Sequence, residues 1–547
     1  VADDRVAVGL AITHTIERAL AEGRLSSGAV RGMSKILVQS LLIEQGEQSA
    51  QNRFKAEHEN AAPPTFLTIS PTKTCNLRCT GCYADSGATS EKLEWATFDR
   101  IIDEAKTLWG VRFIVLSGGE PFAYRSDGKG IVDMAEKHAD CLFMAYTNGT
   151  LINDAVAERL ARAGNLWPAI SVEGWRGRTD ERRGAGVFDK VLATMERLRG
   201  VKAPFGMSLT ATRHNVEELL SQEFLDFFFN EQGVLFSWLF HYMPIGRSFT
   251  LDLMPTPDQR LWMWRRAWEV VRVDQRFLVD FWNYGTATDG CISAGGHGRG
   301  GYFYIDWNGA VSPCVFLPYA PVNVKEIYAR GGNLNDVWAD PFFAAVRGWQ
   351  ADFQARQCNE MAPCPMRDHH LELRRLLHDY EPDPMDENAR AALLDPGYAG
   401  GLQKYDQEFQ ALADPVWERH YRRPLDPGDG HSLHPLPDIE GDGQTGHEGG
   451  HRGHHDRPEA DQRRLEDRVG GRCAVGALLL DGVVDHHDRV LLHDADQHDD
   501  ADKRVQAQVD LEQQQRQQRA QPGRRQAGQD GQRMDEAFVQ DAQHDVD

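Results

Sequence analysis

Residues 75–82 read Cys-Asn-Leu-Arg-Cys-Thr-Gly-Cys, which places the thiols of Cys75, Cys79 and Cys82 at C-x3-C-x2-C spacing on one short segment. The apolar run 66–70 predicts a strand that leads into this loop. Three thiolates can hold three irons of a four-iron cubane, which leaves one iron without a protein ligand. A zinc knuckle needs a fourth Cys or His close by, and none follows within fifty residues. The loop therefore favours an iron–sulfur cluster with an open iron over structural zinc or buried thiols.

The stretch from 62 to 270 alternates apolar runs with segments of helical periodicity. Strands are predicted at 66–71, 111–117, 142–147, 168–173, 205–212 and 234–243. Helices are predicted near 93–108, 130–138, 152–163, 187–199, 216–229 and 256–274. Six successive βα units predict an α/β fold with a parallel sheet, a partial (β/α)6 TIM-like barrel, closed or partly closed. Ligands of such folds bind at the carboxyl ends of the strands.

Polar motifs follow these strands. They are Ser117-Gly118-Gly119-Glu120-Pro121 after the second strand, Thr147-Asn148-Gly149 after the third, and Ser171-Val172-Glu173-Gly174 with Arg182-Arg183-Gly184 after the fourth. Together with the three-cysteine loop, this order resembles the radical S-adenosylmethionine (radical SAM) superfamily. The resemblance implies that SAM chelates the open iron through its amino and carboxylate groups. It also implies reductive cleavage of SAM to methionine and a 5′-deoxyadenosyl radical, which removes a hydrogen atom from the substrate.

The resemblance also suggests which residues contact SAM. Glycine carbonyls and the Glu120 carboxylate would accept hydrogens of its ammonium group, and the planar fork of Arg183 suits its carboxylate. Many members carry an aromatic residue just before the third cysteine, where this chain has Gly81, with Tyr83 two residues later. The predicted cofactor-binding set is Gly118, Gly119, Glu120, Pro121, Tyr83, Asn148, Ser171, Glu173 and Arg183. In the alternative interpretation, these residues do not contact SAM: Ser171 caps the end of a strand and Arg183 is a surface charge.

His241 lies at the end of the sixth predicted strand, in a run of aromatic residues. A histidine there could transfer protons during the reaction. A single histidine on an aromatic strand is more often a hydrogen-bonded core residue, and the sequence leaves both interpretations open.

Four more cysteines follow the predicted barrel: Cys291, Cys314, Cys358 and Cys364. Their spacing, with Gly309 five residues before Cys314, partly resembles SPASM-type extensions, which hold auxiliary iron–sulfur clusters. The gap from Cys291 to Gly309 is longer than usual, and Ala355 stands where a C-x2-C partner would be. Four thiols suit one auxiliary cluster in a shortened, twitch-like α+β extension. A zinc site made of the same four residues is the alternative.

Five segments are predicted along the chain: N-terminal helices over 1–61, the barrel over 62–270, the auxiliary-cluster extension over 271–370, a helical segment over 371–430 and a tail over 431–547. The first contains two helices by periodicity, with apolar residues such as Val8, Ile12 and Ile16 on one face. The tail is rich in Gly, His, Asp, Gln and Arg, and it is expected to be disordered. Its histidine pairs could bind metals weakly, and it could also be a translated stretch that was not selected as protein.

Composition narrows the function. With 60 Lys and Arg against 82 Asp and Glu, the net charge is −22, which disfavours nucleic acid and anionic membrane surfaces. Nine cysteines, several of them in cluster-like spacings, without a secretory or transmembrane segment, indicate reduced thiols and a cytoplasmic location. We expect a radical SAM enzyme that modifies a peptide or protein, with a reductant such as a flavodoxin or ferredoxin. The alternatives are radical chemistry on a small metabolite, cofactor precursor or lipid, and a non-enzymatic iron–sulfur electron carrier.

Overall fold

The computed structural model of this chain describes residues 2–38, 49–298 and 300–422. The predicted tail over 431–547, and the end of the predicted helical segment before it, lie outside the described residues. Within the described ranges, the element order follows the predicted alternation of strands and helices from 62 onwards.

Twelve strands are present in the described part of the chain. They are β1 Phe66–Ile69, β2 Phe113–Leu116, β3 Leu142–Thr147, β4 Leu166–Val172, β5 Gly206–Ala211, β6 Phe236–His241, β7 Phe277–Asp280, β8 Tyr304–Ile305, β9 Ala310–Ser312, β10 Tyr319–Ala320, β11 Val322–Asn323 and β12 Asp383–Pro384. Ten of these form one sheet in the order β11-β9-β8-β1-β2-β3-β4-β5-β6-β7, and β10 pairs with β12. All six strands predicted over 62–270 are confirmed.

Neighbouring strands from β1 to β7 pair in parallel, as the βα alternation predicted. The seventh strand, β7, was not predicted, because four residues directly after a long helix leave too short a pattern to recognise. Strand β8 pairs in parallel with the other side of β1, and β9 and β11 continue antiparallel beyond it. The sheet therefore runs without a break across residue 270. It is open, with β7 and β11 at its edges, and is not a closed barrel.

The described helices have the following bounds. They are α1 Ala2–Ala21, α2 Ser27–Val38, α3 Ala50–Glu57, α4 Trp95–Trp109, α5 Ile131–Lys137, α6 Asp154–Ala163, α7 Arg176–Arg183, α8 Val187–Gly200, α9 Val216–Leu219, α10 Gln222–Asp226, α11 Pro257–Arg272, α12 Gly285–Thr288, α13 Val324–Ala329, α14 Leu334–Trp338, α15 Pro341–Ala355, α16 His370–Tyr380, α17 Glu387–Leu394 and α18 Pro396–Trp417. The two predicted N-terminal helices are confirmed as α1 and α2, and α3 is an additional one.

Local chemistry sets several of the helix ends. Helix α11 begins with a capping box, in which the Thr256 hydroxyl accepts the Gln259 N–H and the Gln259 side chain accepts the Thr256 N–H. The single helix predicted over 216–229 is wrong in its continuity. Ser221 accepts the Phe224 N–H and starts a second short helix, α10.

Two apolar layers position the site. One lies between the sheet and the helices and includes Leu67 and Ile69, the outward-facing residues of β1. The other covers the inner face of the sheet and includes Val115 and Met144, with Ala19 of α1 packed against them. Since Cβ atoms alternate along a strand, the residues on this inner side, Val115 and Met144 among them, face one cavity.

Candidate active site

The three cysteines of the loop after β1 open onto one cavity of about 450 Å³ at the inner face of the sheet. Burial raises the pKa of the Cys75 thiol to about 11. Two hydrogen-bond donors lie near its sulfur: the backbone N of Leu77 is 3.4 Å from Sγ, and Nδ2 of Asn148 is 3.9 Å from Sγ. Donors around a sulfur stabilise a ligating thiolate, so the surroundings fit a bound cluster.

The two glycines after β2 hold the cysteine loop against the sheet. The Gly119 N–H donates to the Thr72 carbonyl at 2.9 Å, and the Glu120 N–H donates to the Thr74 carbonyl at 2.8 Å. A Cβ at position 119 would lie 2.2 Å from the Thr74 oxygen, and Gly118 adopts φ +105°. Both glycines are required by the close approach of backbone 72–74, the lead into the first cysteine.

Glu120 lies on the cavity wall and is fully buried. Its carboxylate accepts hydrogen bonds from the Thr147 hydroxyl at 2.6 Å, the Asn148 N–H at 2.8 Å and the Phe122 N–H at 3.1 Å. Burial raises the pKa of Glu120 despite these bonds. The side chain thus ties the loop after β2 to the loop after β3. Its predicted contact with an ammonium group stays a prediction.

Arg183 lies on the cavity wall, 12% exposed, so it is not a surface charge. Its Nε donates to Glu173 Oε1 at 2.8 Å, Nη2 contacts the same oxygen, and Nη1 lies 4.0 Å from Cys79 Sγ. Burial disfavours the guanidinium charge, but Glu173 and the Cys79 thiolate outweigh it, so the pKa of Arg183 lies above its ordinary value. The arginine therefore brings a permanent positive charge to the cysteine loop.

Glu173 is buried behind Arg183 and is not on the cavity wall. Oε1 also lies 2.6 Å from Nη1 of Arg182, while Oε2 has no hydrogen-bond partner. The carboxylate holds two guanidinium groups in place, and its predicted contact with the cofactor stays a prediction.

The other predicted cofactor residues occupy different places. Ser171 lines the cavity, whereas Pro121 starts a buried 3-10 turn away from the wall. The Tyr83 hydroxyl accepts the Gly118 N–H at 3.0 Å and hydrogen-bonds with Ser117, so the ring is fixed beside the third cysteine. Asn148 joins the loop after β3 to the cysteine loop, since its Nδ2 donates to Asn76 Oδ1 at 2.9 Å.

Sequence reasoning missed Arg247, which clamps the cysteine loop from the other side. Its N–H donates to the Cys82 carbonyl at 2.9 Å, and Nη1 donates to the Cys79 carbonyl at 2.7 Å. Nε lies 3.0 Å from Asp85, and Nη2 contacts the Ser86 carbonyl. An arginine just after the sixth strand was the signal available in the sequence, because loops at that end of the sheet meet at the site.

The departure at Gly81 also has a structural cause. A Cβ at this position would lie 2.6 Å from Cε2 of Tyr242, which lines the cavity after β6. An aromatic ring from a distant strand therefore occupies the space that a side chain before the third cysteine would need.

Three of the four later cysteines, Cys291, Cys314 and Cys364, line the same cavity as the first three, and Cys358 is not on its wall. Burial raises the pKa of Cys364 to about 12 and also raises the pKa of Cys291 and Cys314. Within the described ranges, no group of three or more His, Cys, Asp or Glu side chains is gathered tightly enough to hold a single metal ion. A cubane binds each cysteine at a different iron, so its ligands surround a larger centre. The four-cysteine auxiliary set stays a prediction.

Tyr302 connects the segments that carry two of these thiols. Its N–H donates to the carbonyl of Ile292, next to Cys291, and its hydroxyl lies 2.9 Å from Cys314 Sγ. The ring is 2% exposed and stacks on Phe66 of β1. When the sulfur is a ligating thiolate it can only accept, so the tyrosine hydroxyl is the donor.

Replacing Tyr302 with Phe is therefore expected to lower the midpoint potential of the auxiliary cluster while its iron content is unchanged. A hydrogen bond to a cluster sulfur stabilises the more negative, reduced state. Tyr284→Phe is the matched control, because Tyr284 lines the same cavity and its buried hydroxyl has no hydrogen-bond partner. Redox titration followed by electron paramagnetic resonance measures the midpoint potential in both variants. Equal shifts in the two would refute the hydrogen bond from Tyr302 to a cluster ligand.

His241 lines the cavity, but both ring nitrogens face protein groups. Nδ1 lies 2.8 Å from Nη1 of Arg367, and Nε2 lies 3.0 Å from Asp280. Burial lowers the pKa of His241 to about 4, against the opposing effect of Asp280. Since the arginine donates to Nδ1, the imidazole is neutral at physiological pH. This supports the core interpretation over proton transfer.

Comparisons with known proteins agree with this site. Residues 69–221 match the Radical SAM superfamily model, and residues 297–365 match SPASM, an iron–sulfur cluster-binding domain. The AdoMet-dependent heme synthase of Methanosarcina barkeri is 27% identical over 48% of this chain and 80% of its own. Mycofactocin maturase MftC of Mycobacterium ulcerans is 29% identical over 55% of this chain and 82% of its own. PqqA peptide cyclase of Granulibacter bethesdensis is 30% identical over 29% of this chain and 42% of its own.

Among solved structures, Streptococcus suis SuiB bound to its precursor peptide SuiA matches with 19% identity and a TM-score of 0.45, over 54% of this chain and 70% of that one.

None of the helices in the described ranges is long and apolar enough to cross a membrane.

The open sheet, parallel from β1 to β7, and the three thiols that follow β1 define an iron–sulfur protein with a site at the carboxyl ends of the strands. In this chain, residues 69–221 form a radical SAM domain and residues 297–365 form a SPASM-type, iron–sulfur cluster-binding extension. The cofactors of the chain are a 4Fe–4S cluster and S-adenosylmethionine, and the extension carries a further iron–sulfur cluster. The site residues and the five segment boundaries stay predictions.

Proposed function

We propose that this enzyme modifies a side chain of a peptide or protein by removing a hydrogen atom from it. The observation that carries the proposal is the single cavity onto which Cys75, Cys79 and Cys82 open together with Cys291, Cys314 and Cys364. A substrate group in this cavity lies between two sets of cluster ligands. PqqA peptide cyclase and the mycofactocin maturase support a maturation reaction.

When the cluster and SAM are bound, they would supply a 5′-deoxyadenosyl radical once an electron enters the cluster. The residues of the chain provide the setting for that chemistry. Arg183 offsets the negative charge of the Cys79 thiolate, and the two glycines after β2 fix the loop that carries the ligands. The cavity wall is rich in aromatic rings, which exclude water from a reactive group.

The alternative, radical chemistry on a small metabolite or cofactor precursor, has a natural test molecule in a tetrapyrrole, because one relative is a heme synthase. Tetrapyrroles of that class carry carboxylates that need cations. The arginines on the described cavity wall, Arg182 and Arg183, already contact Glu173. The wall therefore suits an uncharged group better.

We further propose that the electron comes from a flavodoxin or ferredoxin and that the enzyme works in the cytoplasm. Cysteines that ligate clusters need a reducing compartment, and none of the described cysteines forms a disulfide.

The proposal is tested with anaerobically reconstituted protein, SAM and dithionite. Short peptides encoded beside this gene are supplied with deuterated side chains, and iron coproporphyrin is supplied in a parallel reaction. We expect 5′-deoxyadenosine to form and to carry deuterium from a peptide. Deuterium transfer from the tetrapyrrole alone would replace the proposed function with the alternative.

A further inference from the structure

Five aromatic side chains form a continuous surface on one side of the cavity, called the aromatic wall below. They are Trp238, Phe240, Phe281, Trp282 and Phe316, and all of them line the cavity. Phe240 lies at the centre, with ring centroids 5.5 Å from Phe281, 5.8 Å from Phe316 and 6.2 Å from both tryptophans. All but Trp282 are only partly buried, so their faces are open to the cavity.

The aromatic wall spans the distance between the two sets of thiols. The Phe316 N–H lies 3.4 Å from Cys314 Sγ, and the Phe316 ring meets the ring of Tyr83 at 5.8 Å. Tyr83 directly follows Cys82 in the sequence. A substrate group held between the two sets therefore contacts aromatic faces on this side.

The strands next to β6 line the same cavity with polar groups. Ser208 and Thr210 of β5 pair in register with Trp238 and Phe240, Ser171 of β4 pairs with Ser208, and Arg183 follows β4. Hydroxyl groups therefore begin one strand away from the aromatic wall. The aromatic wall offers apolar surface and ring faces instead.

Apart from the cysteines and tyrosines, the described wall carries few charged or titratable side chains, and each of them already has protein partners. Glu120 accepts three hydrogen bonds, Arg182 and Arg183 contact Glu173, and His241 lies between Arg367 and Asp280. A charged substrate side chain would lose its hydration here without gaining a free partner of opposite charge. An aromatic or large aliphatic side chain loses little hydration and gains ring contacts.

We infer that the residue presented to the radical site is an uncharged aromatic or large aliphatic residue, seated against the aromatic wall around Phe240. This inference rests on the proposed function, since it specifies which residue of a peptide is modified. The preference comes from the cavity itself and is present before any bond is broken, so it can be measured without turnover.

The test uses the full chain, reconstituted and loaded with SAM, without reductant. Calorimetry measures the binding of pentapeptides Gly-Gly-X-Gly-Gly, with Phe, Tyr, Leu, Val, Asp, Lys or Asn at X. We expect the Kd of the Phe, Tyr and Leu peptides to be at least about tenfold lower than that of the Asp and Lys peptides. Equal affinities across the panel, a preference for charged guests, or no detectable binding by any peptide would overturn the inference.

Two variants assign the preference to the aromatic wall. Phe240→Ala should bring the affinities of the peptides in the panel within about threefold of each other. Phe240→Leu, which keeps an apolar core residue, should weaken binding of the Phe and Tyr peptides more than binding of the Leu peptide. Trp262→Ala, which changes a partly exposed ring away from the cavity, is the control and should leave the ranking unchanged. An unchanged ranking in both Phe240 variants would also overturn the inference.

The outcome is separable from that of the proposed function. If the ranking holds and no peptide gives labelled deoxyadenosine once dithionite is added, the peptide-modifying function fails and the specificity of the cavity stands. If labelled deoxyadenosine forms and the ranking is flat, the function stands and the inference fails.

Discussion

Replacing Cys79 with alanine is expected to remove about four iron atoms per chain and to reduce 5′-deoxyadenosine formation to background. Two thiols on one short loop cannot hold a cubane whose fourth iron must stay open for SAM. The substitution also removes the sulfur that lies 4.0 Å from Nη1 of Arg183, while the backbone carbonyl that accepts from Nη1 of Arg247 is kept. Iron analysis and Mössbauer spectroscopy measure the loss of the cluster, and chromatography of reactions with SAM and dithionite measures the deoxyadenosine formed.

Cys141→Ala is the control, because it also removes one thiol, at a buried site away from the cavity wall. Its iron content and deoxyadenosine yield should equal those of the unaltered protein. Cys314→Ala separates the two sets of ligands, since it should lower total iron while the SAM-dependent signal of the first cluster remains. Full activity in reconstituted Cys79→Ala protein would refute the assignment of the cluster.

The parts of the site that could be predicted from sequence are those carried by short, local patterns. The cysteine spacing, the glycine pair after β2 and the polar residues after β3 and β4 each lie within a few residues of a recognisable strand. Because parallel strands place their carboxyl ends together, a local pattern was enough to gather Cys75, Glu120 and Asn148 in one place.

What could not be predicted depends on partners far apart in the chain. Arg247 contacts the cysteine loop from more than 160 residues away, and the ring of Tyr242 explains the glycine at position 81. The aromatic wall combines residues of β6, the segment after β7 and the segment after Cys314. No periodicity links such residues, so only the packing of the sheet and the extension reveals that they face one cavity.

The Gly119→Ala substitution is expected to displace the cysteine loop and to cause a large loss of bound cluster. The new Cβ would lie 2.2 Å from the Thr74 carbonyl oxygen and 2.6 Å from that of Lys73. Both are backbone atoms one and two residues before Cys75, so the clash is relieved only by moving the loop that carries the ligands. Overpacking of this kind costs about 1–3 kcal/mol, and the displacement should reduce occupancy of the cluster site by roughly tenfold to a hundredfold at limiting iron.

Gly87→Ala provides the control within the same loop. Its carbonyl accepts the Cys75 N–H at 2.8 Å, but a Cβ at position 87 meets no atom within 4 Å, so the loop should keep its place and its iron. Iron titration followed by the visible absorbance of the cluster compares the two variants, and circular dichroism confirms that both are folded. If Gly119→Ala binds iron like Gly87→Ala, then the glycine is there for a ligand to approach, and the defect should appear in SAM affinity instead. Equal iron binding and equal SAM affinity in both variants would mean that the contact with residues 72–74 does not position the cluster loop.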